Sequence, residues 1–140
     1  LIKSIKINTL IPMLIQRKII NNMEKKRFGR ILNASSIGVK FGGGNNTFNY
    51  GLSKHCLEFI PNNHKERAKN NICINNLRIG VTNTKIHKKI KKKLTMKKRI
   101  NLIPAARMAS PAEIANYILE LISEKNTYMT GQTITVAGGE

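Results

Sequence analysis

Three side chains in the first half of this chain have the types and spacing for proton transfer. Tyr50 and Lys54 lie four residues apart in Tyr50-Gly51-Leu52-Ser53-Lys54. On a helix they share one face. A cationic Lys one turn from a phenol favours the phenolate and lowers the pKa of the tyrosine. Such a Tyr serves as general acid or base near neutral pH. The spacing alone is weak, since many helices carry it as an ordinary surface pair. The context adds weight. A short apolar strand, Arg30 to Ser36, ends in Ser35-Ser36, a Gly-rich stretch follows, and the Tyr–Lys pair opens the next helix. In a parallel sheet the carboxyl ends of the strands form the ligand crevice. Ser36 and Tyr50 are therefore expected to meet at that edge.

Holding these groups together requires alternating helices and strands. Residues 1–27 read as an amphipathic helix, with Ile7, Leu10, Ile11, Leu14, Ile15 and Ile19 at helical spacing. Pro12 predicts a bend or an irregularity within it. Lys25-Lys26-Arg27 suits its C-terminus and Gly29 its stop. Residues 37–49, centred on Gly42-Gly43-Gly44, are loop. Residues 50–69 have a helical pattern, with Leu52, Cys56, Leu57 and Ile60 on one face and Pro61 in the interior. Residues 72–79 make a second strand. Residues 85–99 hold nine Lys or Arg and no acid, with an apolar stripe of Ile86, Ile90 and Leu94. Ser110-Pro111-Ala112-Glu113 starts a helix that runs to about Ser123, with Ile114, Ile118, Leu121 and Ile122 inward. Residues 132–137 make a third strand, closed by Gly138-Gly139. Strands separated by helices imply right-handed crossovers and a parallel sheet, hence an α/β fold.

The chain has 140 residues, enough for one domain. Its 25 Lys plus Arg against 7 acids give a charge of +18, and 41% of its residues are apolar, enough for a core. All the acids are Glu. The absence of Asp excludes Asp dyads, Ser-His-Asp triads, Walker-B aspartates and EF-hand loops. Cys56 and Cys73 do not make a disulfide framework, and no Cys/His cluster has zinc spacing, so no metal site is expected. No secretory signal is visible, and no apolar run approaches the about 18 residues that span a bilayer. The chain opens on Leu1 with a helical pattern and no cap, as though entering the middle of something larger. The expected compartment is a reducing cytoplasm. The positive charge invites a nucleic-acid reading. Solvated lysines in a chain biased toward Lys, Asn and Ile are the preferred account, because no nucleic-acid motif accompanies the charge.

The stretch GRILNASSIG…NYGLSKH resembles the catalytic segment of classical short-chain dehydrogenases/reductases. NNLRIGVTNTKIH resembles the family's N-x-x-x-P-G-x-x-x-T segment after the sixth strand. RMASPAEIANYILELISEKNTYMTGQTITVAGGE resembles its closing helix and last strand. Asn8 lies twenty-two residues before Arg30, the spacing of the family's helix Asn. The resemblance covers essentially the whole chain. It implies the C-terminal half of a Rossmann-type doubly wound parallel sheet, one partial domain over residues 1–140 with the first four strands absent. It implies an oxidoreductase that moves hydride between NAD or NADP and a small-molecule carbonyl or secondary alcohol. Tyr50 would handle the proton. Lys54 would lower the pKa of Tyr50 and, with it, hold the nicotinamide ribose. Ser36 would bond the substrate oxygen; it is chosen over Ser35 because the family uses the second of such a pair. Asn8 would hold a relay water beyond Lys54. Gly80, Thr82 and Thr84 would line the nicotinamide carboxamide. The full-length form would be a homo-oligomer, with no membrane or nucleic-acid partner.

The chain departs from the family in several places. The family's phosphate-binding T-G-x-x-x-G-x-G would precede Leu1, and Gly42-Gly43-Gly44 lacks the strand-turn-helix context to replace it. Ile79 stands where the family has Pro. This portion alone is therefore expected to be inactive, and a non-catalytic remnant is the alternative. The Lys-rich segment is expected to be a lid, with Lys91, Lys92 and Lys93 either steering acidic substrates or simply solvated.

Overall fold

The computed structural model of the chain describes residues 1–43, 46–85 and 93–140, with backbone alone at 93–95. The first helix is a rod in three parts. Helix α1 (Ile2–Ile5) leads through a π-helical turn (Lys6–Leu10) into α2 (Ile11–Lys26). The expected irregularity thus lies just before Pro12. Proline has no N–H for the carbonyl of Asn8 four residues back, and its ring crowds that carbonyl. A widened turn is a common accommodation. The rod stops at Arg27, in the left-handed conformation with φ 49°, rather than at Gly29. Gly29 instead opens the first strand under α2, where a Cβ would lie 2.5 Å from the Met23 sulfur.

Strands β1 (Gly29–Ser36), β2 (Ile72–Ile79) and β3 (Thr133–Val136) form a parallel sheet in sequence order. The three strands and their parallel pairing match the sequence expectation. The register pairs Ile31 with Ile74, Asn33 with Asn76 and Ser35 with Arg78, so these six share one face. Its amino end is apolar: Ile31, Ile72 and Ile74 pack with Ile20, flanked by Met23 and Ile60. Further along, the same face is polar. Gln16 donates to Asn33 Oδ1 at 2.6 Å, and Asn33 donates to Asn76 Oδ1 at 2.9 Å. Asn76 donates to the Glu58 carbonyl at 2.7 Å and to Thr133 Oγ1 at 3.0 Å. The buried amides are therefore satisfied.

This polar face explains why the apolar row of the first helix points outward. Leu14 is 63% exposed and Ile15 54%, while Thr9 and Ile20 are the buried residues of the rod. The residues expected to form one helix over 50–69 form two, α3 (Phe48–Leu57) and α4 (His64–Ala68). Pro61 separates them rather than kinking one. Helix α5 (Lys93–Asn101) ends the basic segment. Ile86 and Ile90, and the side chain of Leu94, lie outside the described residues.

Helix α6 (Pro111–Ile122) starts as its sequence demands. Ser110 Oγ accepts from the Glu113 N–H at 3.2 Å, and Glu113 Oε2 accepts from the Ser110 N–H at 2.8 Å. Arg107 grips the same carboxylate at 2.6 and 2.9 Å. The Arg107 guanidinium, aided by the Ser110 N–H, holds the Glu113 carboxyl down to about 2. A depressed carboxyl stabilises above its unfolded pKa, so the cap is lost only as pH falls through that low value. Ser110→Ala is expected to lower stability by about 1 kcal/mol, read from the denaturant midpoint.

Only Ile114 of the expected inward row on α6 is buried; Ile118 and Leu121 are half-buried and Ile122 is exposed. Among the described residues both β1 and β3 are edge strands. Unpaired edges and open apolar faces promote association. The isolated chain is therefore expected to self-associate and to enhance the fluorescence of a hydrophobic dye. A monodisperse monomer that leaves the dye dark would contradict this.

Candidate active site

The carboxyl ends of the strands open on a cleft of about 850 Å³ lined by both Ser36 and Tyr50. Its apolar wall includes Ile37, Phe41, Val81, Leu102 and Pro104, and its charged groups are Lys40, Arg99 and Glu140. Strand alternation puts the two serines on opposite faces of the sheet. Ser35 is buried and donates to Glu58 Oε1 at 2.6 Å, on the face toward α3. Ser36 faces the cleft and caps the short 3₁₀ turn Ile37–Val39, its Oγ accepting from the Gly38 N–H at 3.2 Å. That bond does not use the hydroxyl hydrogen.

Tyr50 lies in the first turn of α3 and is 44% exposed. Lys54 follows one turn on, with its ammonium 5.9 Å from the Tyr50 ring centre. Lys54 Nζ donates to the Ala34 carbonyl on the free edge of β1 at 2.7 Å. Burial pushes its pKa down from the ordinary lysine value. An ammonium has three donors, so two remain after the bond to Ala34.

Asn8 lies in the π-helical turn, and its side chain reaches α3. Its Nδ2 donates to Ser53 Oγ at 3.0 Å, and Ser53 Oγ donates to the Tyr50 carbonyl at 2.8 Å. Thr9 adds a bond to the Ser53 carbonyl at 2.7 Å. Ser53 is wholly buried and was not singled out by the sequence. The available signal was a small polar residue directly before Lys54, on the side of α3 that must meet the first helix.

Gly80, Thr82 and Thr84 follow the end of β2. Gly80 N–H donates to the Val136 carbonyl at 2.9 Å, and Thr82 Oγ1 donates back to the Gly80 carbonyl at 3.0 Å. Thr82 also forms a parallel bridge with Ala109. Val81, between Gly80 and Thr82, lines the same cleft as Tyr50. Thr84 is half-buried just beyond. Lys91 and Lys92, and the side chain of Lys93, lie outside the described residues, so the expected steering lysines are not placed. Of the cations that line the cleft, Arg99 is paired with Glu140 at 2.5 Å, and the Glu140 side chain is only 3% exposed.

Residues 2–140 match the family model described as enoyl-(acyl carrier protein) reductase. A 3-oxoacyl-(acyl-carrier-protein) reductase of Buchnera aphidicola is 36% identical over 136 residues, covering 96% of this chain and 55% of that protein. The acetoacetyl-CoA reductase of an Acinetobacter species is 35% identical over 127 residues, covering 89% of this chain and 50% of that protein. Among solved structures, the TT0495 protein of Thermus thermophilus superposes with a TM-score of 0.88 at 26% identity, covering 97% of this chain and 58% of that one. A 7α-hydroxysteroid dehydrogenase, solved with NADH and 7-oxo glycochenodeoxycholic acid, superposes at 0.86 with 26% identity, covering 96% of this chain and 53% of that one. The chain thus spans about half the length of these relatives. Extending over nearly every residue, these matches make the chain a member of the short-chain dehydrogenase/reductase family of oxidoreductases.

Proposed function

We propose that the chain is the catalytic portion of an NAD(P)-dependent oxidoreductase whose substrate is the ketone of a 3-oxoacyl thioester or the matching secondary alcohol. The observation that carries this reading is one cleft lined by both Ser36 and Tyr50, with Lys54 a single turn behind Tyr50. The thioester is favoured because two relatives are a 3-oxoacyl-(acyl-carrier-protein) reductase and an acetoacetyl-CoA reductase.

The donors present suit a nicotinamide nucleotide. Lys54 keeps two N–H groups beyond its bond to Ala34, a number that matches the two hydroxyls of a ribose. Tyr50 would share that contact, and the backbone around Gly80, Thr82 and Thr84 would line the carboxamide. When bound, the nucleotide supplies or accepts the hydride. The remaining chemistry belongs to this chain. The Ser36 hydroxyl donates to the substrate oxygen and fixes its position. Tyr50 gives that oxygen its proton in reduction and takes it back in oxidation. Lys54 stabilises the phenolate left behind. Asn8 ties the first helix to α3 through Ser53, and its carbonyl, which Pro12 cannot bond, is the group to hold a relay water beyond Lys54.

The longer protein carries turnover in this reading, as a homo-oligomer. The test joins this chain to the N-terminal half of a relative and follows loss of reduced-nicotinamide absorbance with an acetoacetyl thioester. Calorimetry on the joined and isolated chains measures NADH and NADPH binding in parallel. Reduction by the joined protein supports the reading. Tight nucleotide binding without reduction of any 3-oxoacyl thioester would overturn the substrate assignment.

A further inference from the structure

We propose that Glu58, clamped between Ser35 and Arg78, is a positioning residue that fixes the helix bearing Tyr50 and Lys54 against the strand bearing Ser36. The inference rests on the catalytic reading of those three residues. Glu58 closes the C-terminus of α3, one turn beyond Lys54. Its Oε1 accepts from Ser35 Oγ at 2.6 Å and from Arg78 Nε at 2.8 Å, and its Oε2 accepts from an Arg78 terminal nitrogen at 2.6 Å. The Glu58 side chain is 7% exposed and that of Arg78 26%. Its backbone is held too: the carbonyl accepts from Asn76, and the N–H reaches the Lys54 carbonyl at 3.2 Å.

Each partner adjoins a site residue. Ser35 precedes Ser36, Glu58 follows Lys54 by a turn, and Arg78 stands two residues before Gly80. One carboxylate therefore joins β1, α3 and β2, each through a residue close in sequence to the site. The tie matters because α3 is poorly anchored from within. It has only ten residues and includes Gly51. The adjoining chain breaks at Pro61, so no long helix steadies it.

A stabilising role alone does not account for the arrangement. Replacing a buried ion pair by apolar residues of similar volume is often neutral for stability. What such a pair supplies is fixed geometry, because a bidentate guanidinium–carboxylate fork admits one orientation. Burial pushes the Glu58 carboxyl up, but the bonds from Arg78 and Ser35 and the Arg78 charge outweigh it, and the pKa lies below the ordinary value. The tie is thus charged at neutral pH. Misplacing a catalytic group by about 1 Å can cost about 100-fold in rate.

The experiment uses the chain as it stands, with ring-¹³C-labelled tyrosine. The chain has three tyrosines, so Tyr117 and Tyr128 serve as internal references for Tyr50. The variants are the double apolar replacement Glu58→Leu with Arg78→Met, and Ser35→Ala, which removes one bond without stranding a charge. The double variant is expected to keep a melting midpoint close to the parent and unmoved Tyr117 and Tyr128 signals, while the Tyr50 signal shifts and broadens. Ser35→Ala is expected to shift Tyr50 in the same direction by less, and it decides the matter if the double variant does not fold. In the joined enzyme the double variant should lose about 10- to 100-fold in kcat with KM within about twofold. A Tyr50 signal at its parental position in folded variants overturns the positioning role. A shifted Tyr50 signal with unchanged kcat would leave the tie standing and overturn the catalytic reading of Tyr50 instead.

Discussion

Tyr50→Phe, made in this chain joined to an N-terminal half, is expected to lower turnover by about 1,000-fold. The ring, its packing and the helix start are all retained, so only the proton path is lost. Affinity for the nicotinamide nucleotide should stay within about twofold, because phenylalanine deletes one hydroxyl contact while Lys54 keeps its donors. Lys54→Met should behave differently. It removes the two donors left for a ligand and the charge beside the phenol, so both nucleotide affinity and turnover fall. It also frees the Ala34 carbonyl on the β1 edge, which Lys54 now covers at 2.7 Å. Calorimetry and steady-state rates on the same preparations separate the two patterns. Turnover retained in Tyr50→Phe would overturn the assignment of Tyr50 as the proton donor.

Much of the frame that positions these groups was legible in the sequence. Local signals determine it. The strand at residues 72–79 lies between turn-forming flanks, and Ser110-Pro111-Ala112-Glu113 carries its helix start in its own side chains. The Tyr50–Lys54 spacing survives because both lie in the first turns of α3, upstream of Pro61. What periodicity could not supply was orientation. The row from Ile7 to Ile19 indicates a helix correctly, yet it faces outward, because the sheet beneath presents Asn33 and Asn76. Those amides belong to distant segments, and their pairing exists only once β1 and β2 are in register. Ser53 and Glu58 were missed for the same reason. Each is an unremarkable polar residue until a partner 45 residues away, Asn8, or 20 away, Arg78, arrives beside it. The helix stop at Arg27 rather than Gly29 is a further case. Gly29 has no side chain because Met23 fills that space, not because the helix needs a left-handed residue there.

The second large effect is expected at Gly80, for which a sequence motif and a packing constraint coincide. Gly80→Ala should destabilise the chain by about 3 kcal/mol, at the upper end of overpacking costs. A Cβ there would lie 2.6 Å from the Ala137 Cα, 2.9 Å from its Cβ and 3.2 Å from the Val136 carbonyl oxygen. All but one of these are backbone atoms of the chain leaving β3, and the Gly80 N–H is itself bonded to that carbonyl at 2.9 Å. Relief requires the ends of β2 and β3 to separate. Separation would carry Val81, on the cleft wall, away from Tyr50, so nucleotide binding in the joined protein should weaken together with stability. Gly51→Ala is the matching control. It lies within α3, where a Cβ would meet nothing closer than 3.8 Å. Replacing an interior helical glycine by alanine should stabilise by about 0.5–1 kcal/mol. Chemical denaturation of the two variants side by side measures the contrast. Equal midpoints would show that the ends of β2 and β3 yield freely, and the close approach at Gly80 would then not be what holds the cleft wall in place.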